Sequence, residues 1–143
     1  MKRLLILLAL LCLAPLVQAQ EIVNTGAKIF QPTALTAATV NSNDQFNPNS
    51  KGLHLIVNVT SFTSGSYTPH IQGEDPANPG VYYDILVGAA ITGTGTTVLK
   101  VYPGIGTLAN GATSDLLPVT WRVQLIGAST PSMTVSVSAN LER

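Results

Sequence analysis

The sequence has little charge, almost no sulfur and little imidazole. Asp, Glu, Lys and Arg make up 10% of its 143 residues, and seven basic residues balance seven acidic ones, against the roughly 25% charged residues of an ordinary soluble domain. With no basic excess there is no electrostatic footprint for nucleic acid or for an anionic membrane. A single cysteine, Cys12, rules out a disulfide framework within the chain. His54 and His70 stand apart in separate apolar/polar segments, so neither belongs to a cluster with the spacing of a metal site.

Catalytic patterns are equally scarce. No serine lies in a Gly-x-Ser-x-Gly elbow. The run Thr92-Gly93-Thr94-Gly95-Thr96-Thr97 lacks the Lys-Ser/Thr ending and the following helix of a phosphate cradle, and reads as a strand-to-strand turn. Glu74, Asp75 and Asn78, with Asp84 across a hairpin, offer oxygen ligands of the kind calcium takes. Calcium sites recruit more carboxylates at tighter spacing, however, and the segment reads as a solvated turn. Asp84 and Asp115 are the acids from which a carboxylate pair would be built, with few others to tune them. The expectation is a non-enzyme with no catalytic, cofactor-binding or metal-ligating residues. Asn58-Val59-Thr60 matches a glycosylation acceptor but sits mid-strand.

The N-terminus is patterned. Lys2 and Arg3 precede an apolar run from Leu4 to Leu13 and a polar exit at Gln18-Ala19-Gln20, the three zones of a secretory signal peptide. The run is shorter than the roughly 20 residues a spanning helix needs. Val17 and Ala19 suit cleavage before Gln20. Cys12 leaves with the signal, and Leu11 before it does not fit a lipoprotein site. Cleavage leaves acids in slight excess and a chain within single-domain size. The expected location is exported, periplasmic or extracellular, with no membrane contact after cleavage. An exported domain without disulfides suits a bacterial or viral product.

From residue 50 onward, alternating segments separated by Gly, Pro, Asn and Asp predict an all-β fold. Leu53, Leu55, Val57 and Val59 share one face of a strand while His54, Asn58 and Thr60 share the other. Trp121, Val123 and Leu125 form a second apolar row, and Met133, Val135, Val137 and Ala139 a third; these two are expected to form a C-terminal hairpin joined through Gly127 to Ser132. Tyr67 to Gln72, Gly80 to Ala90 and Thr96 to Tyr102 complete about six strands, the number and spacing of an antiparallel two-sheet sandwich, Ig-like or jelly-roll-like, or a small barrel. Glu74 to Gly80 reads as a hairpin loop. Residues 20–50 read as an N-terminal extension that adds edge strands or forms an arm, and residues 51–143 as the sandwich domain, expected to keep a folded core without the extension. Tyr67, Tyr82, Tyr83 and Tyr102 are the aromatics that would line a binding groove.

The ordered words Ile71-Gln72-Gly73, Asp75-Pro76, Tyr82-Tyr83, Ile85-Leu86, Thr94-Gly95-Thr96-Thr97-Val98-Leu99, Val101-Tyr102-Pro103-Gly104, Leu117-Pro118 and Trp121-Arg122-Val123 resemble a group of small, uncharacterised phage-associated virion structural β-proteins, decoration-like in character. The resemblance covers residues 53–141. It implies a capsid decoration or other small virion component, and so a location in the virion. That agrees with a low-charge β-domain that packs against copies of itself or a repetitive protein lattice, through the uncharged Thr134, Ser136 and Ser138 face and, should it lie at the sheet margin, the edge of Met133 to Asn140. The alternative role is an exported bacterial adhesin or carbohydrate-binding module.

Protein recovered from an exporting cell is expected to begin at Gln20. Intact mass or N-terminal sequencing reads this directly, and a retained Met1 overturns the signal-peptide reading.

Overall fold

The computed structural model describes residues 25–143; the segment read as a signal peptide, with its cleavage site, lies outside the described residues. The described chain forms eight strands and no helix: β1 (Thr25–Leu35), β2 (Thr39–Asn41), β3 (Gln45–Phe46), β4 (Gly52–Glu74), β5 (Tyr82–Val87), β6 (Gly95–Val101), β7 (Ala112–Thr113) and β8 (Thr120–Glu142). All belong to one sheet of order β1-β8-β4-β6-β7, with β2 and β3 also on β8 and β5 on β4. Every pairing is antiparallel except that of β6 with β7, so the sheet is mixed. Its main path is open, with β1 at one end and β7 at the other, and this excludes the closed small barrel that the strand spacing also allowed.

The fold is organised by β4 and β8, which pair from Gly52 opposite Glu142 to Gly73 opposite Trp121. Their odd-numbered residues point inward: Leu53, Leu55, Val57, Val59, Tyr67 and Ile71 from β4, and Trp121, Val123, Leu125, Met133, Val135, Val137 and Ala139 from β8, all buried. Alternation on either side of residues 60–66 and 126–130 is what strands with one covered face require. Leu35, Leu86, Leu99, Val101 and Leu117 complete a single buried cluster.

The expected C-terminal hairpin is not formed. Residues 120–142 are one continuous strand, and the Gly127 to Ser132 segment is a corner within it. Ser129 and Thr130 adopt left-handed backbone (φ 56° and 50°), and Gly65 on β4 does the same (φ 71°). The β4–β8 register shifts three times between Val59 and Ser66. A Cβ on Gly65 would lie 2.6 Å from the Ala128 carbonyl oxygen and from the Pro131 Cα, so the two strands turn together only because glycine lets their backbones meet. Pro131 is tolerated because the ladder is already broken there. Beyond the corner, the pairing divides into two halves. One joins residues 52–62 and 133–142 with β1 and β6, the other joins residues 66–74 and 120–128 with β2, β3 and β5.

Residues 25–46 lie along β8 of their own chain. Thr25 pairs with Leu141, Leu35 with Met133, Val40 with Leu125 and Gln45 with Trp121. Met133 to Asn140 is therefore flanked by β1 and β4 and is not a sheet margin, and Leu35 joins the core. The Thr/Ser face survives as a feature: Thr134, Ser136 and Ser138 are half-buried on the side away from the core.

Trp121 is fully buried and its indole N–H has no hydrogen-bond partner, so its contribution comes from apolar burial. Trp121→Ala is expected to cost about 3–5 kcal/mol. Gly65→Ala is expected to cost at least about 1–2 kcal/mol from the left-handed backbone alone, before the steric overlap. Chemical denaturation of both variants measures this; a Gly65→Ala protein as stable as the parent would mean the corner does not need glycine.

Candidate functional site

In the half carrying β5, the face away from the core, built from even-numbered positions of β4 and β8 with Tyr82, Asp84 and Asn41 from the outer strands, gathers polar side chains. His70 and Gln72 from β4, Arg122 and Gln124 from β8, Tyr82 and Asp84 from β5, and Asn41 from β2 form one connected array. A register shift between Ile71 and Gln72 brings Asp84 directly opposite Gln72. Gln72 Nε2 donates to Asp84 Oδ1 (2.9 Å) and to Gln124 Oε1 (3.3 Å), while Gln72 Oε1 accepts from Arg122 Nε (2.9 Å). Gln124 Nε2 donates to Asn41 Oδ1 at 2.8 Å. These neighbours bury Gln72 without leaving its amide unpaired, which is the condition for burying such a group at low cost.

Around this centre, Arg122 Cζ lies 3.4 Å from the Tyr82 ring centroid, a cation–π stack. The Tyr82 hydroxyl donates to Asp44 Oδ1 at 2.7 Å. That bond, with burial and the charges of Asp44 and Glu74 adding to it and Arg122 opposing, raises the Tyr82 pKa above the ordinary tyrosine value. His70 Nδ1 is 3.1 Å from Asp84 Oδ1, yet the nitrogen makes no hydrogen bond. The contact becomes an ion pair only when the imidazole is protonated.

Two shallow clefts lie elsewhere. One, of about 430 Å³, is lined by Glu74, Pro76, Pro79, Tyr83, Pro118 and Val119, with Thr120 at its edge. The other, of about 350 Å³, is lined by His54, Tyr102, Pro103, Gly104, Ile105 and Glu142. The first sits where the β4–β5 loop and the segment leading into β8 meet. Asn47, next after β3, braces the segment leading into β8, its Nδ2 donating to the carbonyls of Ser50 (2.8 Å), Leu117 (3.2 Å) and Pro118 (3.4 Å). Around this end, Phe46, Val81, Tyr83, Leu116 and Val119 are all at least half exposed.

The residues singled out in the sequence are dispersed among these features. Asp75 accepts from the Ala77 N–H and the Asn78 side chain within its own turn, bonds that lower its pKa, the Asn78 contact most. Glu74 Oε1 accepts from the Gly80 N–H at 2.8 Å. These carboxylates brace the loop. Asp84 belongs to the polar array, and Asp115 accepts from the Leu116 N–H at 2.7 Å, so the two enter different networks. Asn58 accepts from Thr96 across the β4–β6 pair at 3.1 Å. Among the tyrosines, Tyr67 is buried with its hydroxyl on the Ala37 carbonyl (2.7 Å), Tyr82 is stacked under Arg122, and only Tyr83 and Tyr102 line clefts. The Arg122–Tyr82–Asp44 chain and the Asn47 anchor escaped sequence reading; alternation places Gln72 and Arg122 on one face, but register and loop closure bring the rest. No protein-family model matches the chain, and no curated protein or solved structure is significantly similar to it.

Because the folded pKa of Tyr82 is raised, the stability its hydroxyl contributes is fully present below the unfolded tyrosine pKa and is lost as pH rises through the folded value. Burial raises Tyr67 in the same way. Alkaline titration followed by phenolate absorbance is expected to show two late tyrosines, of which Tyr82→Phe removes one and Asp44→Asn brings one back toward the ordinary range. A Tyr82→Phe profile with both late transitions intact contradicts the assignment.

Proposed function

We propose that the chain is a non-enzymatic structural or assembly protein, phage-derived or virion-associated, exported when its signal is cleaved, that packs against copies of itself or a repetitive protein lattice. The observation that carries this reading is the apolar loop end. Phe46 (71% exposed), Leu116 (63%), Val119 (57%), Val81 (55%) and Tyr83 (50%) leave large side chains in water on a protein with few charges to offset them. Apolar side chains gathered at one end of a molecule mark protein contact more often than accident. The finer architecture follows the same reading: the two halves of the bent sheet share one core, and Leu99 of one comes within van der Waals range of Gly88 of the other, as two layers of a sandwich would.

The carbohydrate-binding alternative is favoured by one feature, the 430 Å³ cleft in which the exposed Tyr83 ring stands beside the Glu74 carboxylate and Thr120. A ring to stack on and a carboxylate to accept hydroxyls are the chemistry a sugar needs. The two readings part on Leu116 and Phe46, exposed apolar groups that do not line that cleft.

Co-sedimentation with purified virions or capsids, alongside binding to a polysaccharide panel, separates them. In the structural reading, Val119→Ser and Leu116→Ser weaken particle binding about tenfold or more, the loss of roughly 1.4 kcal/mol or more, and Tyr83→Ala does so as well. Loss of polysaccharide binding in Tyr83→Ala, with Leu116→Ser unaffected and no particle binding by the parent, overturns it in favour of the carbohydrate module.

A further inference from the structure

A sheet edge offers unpaired N–H and C=O groups to any strand that can reach it, and folded proteins ordinarily blunt such edges with charge, proline or bulges. The margin formed by β1 carries Lys28 and Pro32 and is interrupted by two register shifts, between Lys28 and Phe30 and between Phe30 and Thr33. The β5 margin carries Asp84 and sits opposite the Ile71/Gln72 shift. β2 and β3, three and two residues long, are short outer strands on β8, and the remaining margin belongs to β6. There β7 covers only Lys100 and Val101, and Gly95-Thr96-Thr97-Val98-Leu99 has no strand partner on its outer side among the described residues. This stretch has no charge, no proline and no register shift against β4, and its Thr96 and Val98 are exposed.

The direction of its backbone groups is fixed by what β7 already uses. Lys100 N donates to Gly111 O (2.9 Å) and Tyr102 N to Thr113 O (3.2 Å), so even-numbered residues point away from β4. By the period of two, Thr96 and Val98 turn both N–H and C=O to the open side.

We infer that this edge pairs with the same edge of a second copy, β6 antiparallel to β6 about a two-fold axis; the inference rests on the assembly reading above and names its contact. The register follows from the residues available. Centring the axis on Val98 would oppose Thr96 to the partner's Lys100, whose N–H is already held by Gly111. Centring it on Thr96 would oppose Val98 to the partner's Thr94, outside the strand. Centring it on Thr97 opposes Thr96 to the partner's Val98 and Val98 to the partner's Thr96, each pair exchanging both hydrogen bonds as an antiparallel ladder requires. Lys100 then falls opposite the partner's Thr94, so no like charges meet. The self-complementary, uncharged five-residue edge is what selects a second copy over an unrelated strand, for which the chain offers no specifying charge. A two-fold contact of this kind closes on itself and leaves no further β6 edge for growth into a fibre.

In this register Thr97 faces the partner's Thr97 as a non-hydrogen-bonded pair, with Cα atoms about 4.5 Å apart, inside the range a disulfide bridges. The full chain carrying Cys12→Ser and Thr97→Cys is expected to form a covalent dimer under mild oxidant, whereas Cys12→Ser with Thr134→Cys does not. Sedimentation of the parent at micromolar concentration is expected to show dimer. Val98→Lys is expected to shift it to monomer that still unfolds cooperatively, since this N–H does not serve the chain's own ladder, and the thermal midpoint of the parent, unlike that of the variant, is expected to rise with protein concentration. A parent that is monomeric at every concentration, or a dimer that survives Val98→Lys without Thr97→Cys cross-linking, overturns the β6 contact. Either result coupled to retained particle binding leaves the assembly reading standing; only loss of both removes it.

Discussion

The pairing of β4 with β8 is the constraint on which the rest of the structure depends. β1, β2 and β3 pair with β8, and β5 and β6 with β4, so the two groups of strands become one sheet only when these two meet. Their partners lie far apart in sequence: Leu53 binds Leu141 and Gly73 binds Trp121, and β1 then joins the two ends of the described chain. Such a fold pays loop-closure entropy before its contacts stabilise it, which predicts slow folding relative to a hairpin meander of the same size. The corner at Gly65, Ser129 and Thr130 matters for the same reason. With the two long strands straight, the rows Leu53 to Val59 and Trp121 to Leu125 would lie at opposite ends of a flat ribbon; bent, they fall within one core.

Much of that core was legible because a strand with one covered face writes its burial at a period of two. Leu53 to Val59, Trp121 to Leu125 and Met133 to Ala139 were readable as apolar rows, and all are buried. What could not be read was how the rows connect. Gly127 and Pro131 signal a reversal of chain, but the same residues serve a corner in a continuous strand. The choice is made by β4, remote in sequence, where Tyr67 stands opposite Gly127 and Gly65 comes against Pro131. The polar array follows the same logic. His70, Gln72, Arg122 and Gln124 fall on one face by alternation, whereas Asp84 reaches Gln72 only because of a one-residue slip at Ile71, and Asp44 reaches Tyr82 only because β3 docks on the end of β8. Neither slip nor docking leaves a local mark.

The array also shows where the scarce charge has gone. Arg122, Asp84 and Asp44 lie on or beside one face, tied by Gln72 and Tyr82 into a network that holds the outer strands β2 and β5 to the central pair through side chains as well as backbone. The neutral Gln72 amide between Asp84 and Arg122 satisfies both without a bare ion pair, an arrangement that adds specificity of register more than raw stability. No charge is left for the β6 edge from Gly95 to Leu99, and those at the loop end, Glu74, Asp75 and Asp115, are engaged with backbone N–H groups of their own loops.

That distribution bears on how the two proposed contacts work together. The loop end is built from Phe46, Val81, Tyr83, Leu116 and Val119, and the open edge from Gly95 to Leu99; they share no residue. A pair joined through β6 would carry two copies of the loop end fixed relative to one another. Against a single partner this adds nothing, but against a repetitive lattice whose spacing matches the pair, the second contact becomes intramolecular. Its effective concentration then lifts the avidity above either contact alone by about 10²–10⁴. Weak apolar patches on a low-charge domain would then suffice for stable attachment to an array and remain too weak to hold isolated subunits. The Val98→Lys monomer would in that case lose binding to particles far more than to a single detached lattice subunit, a difference that a contact made by the loop end alone does not produce.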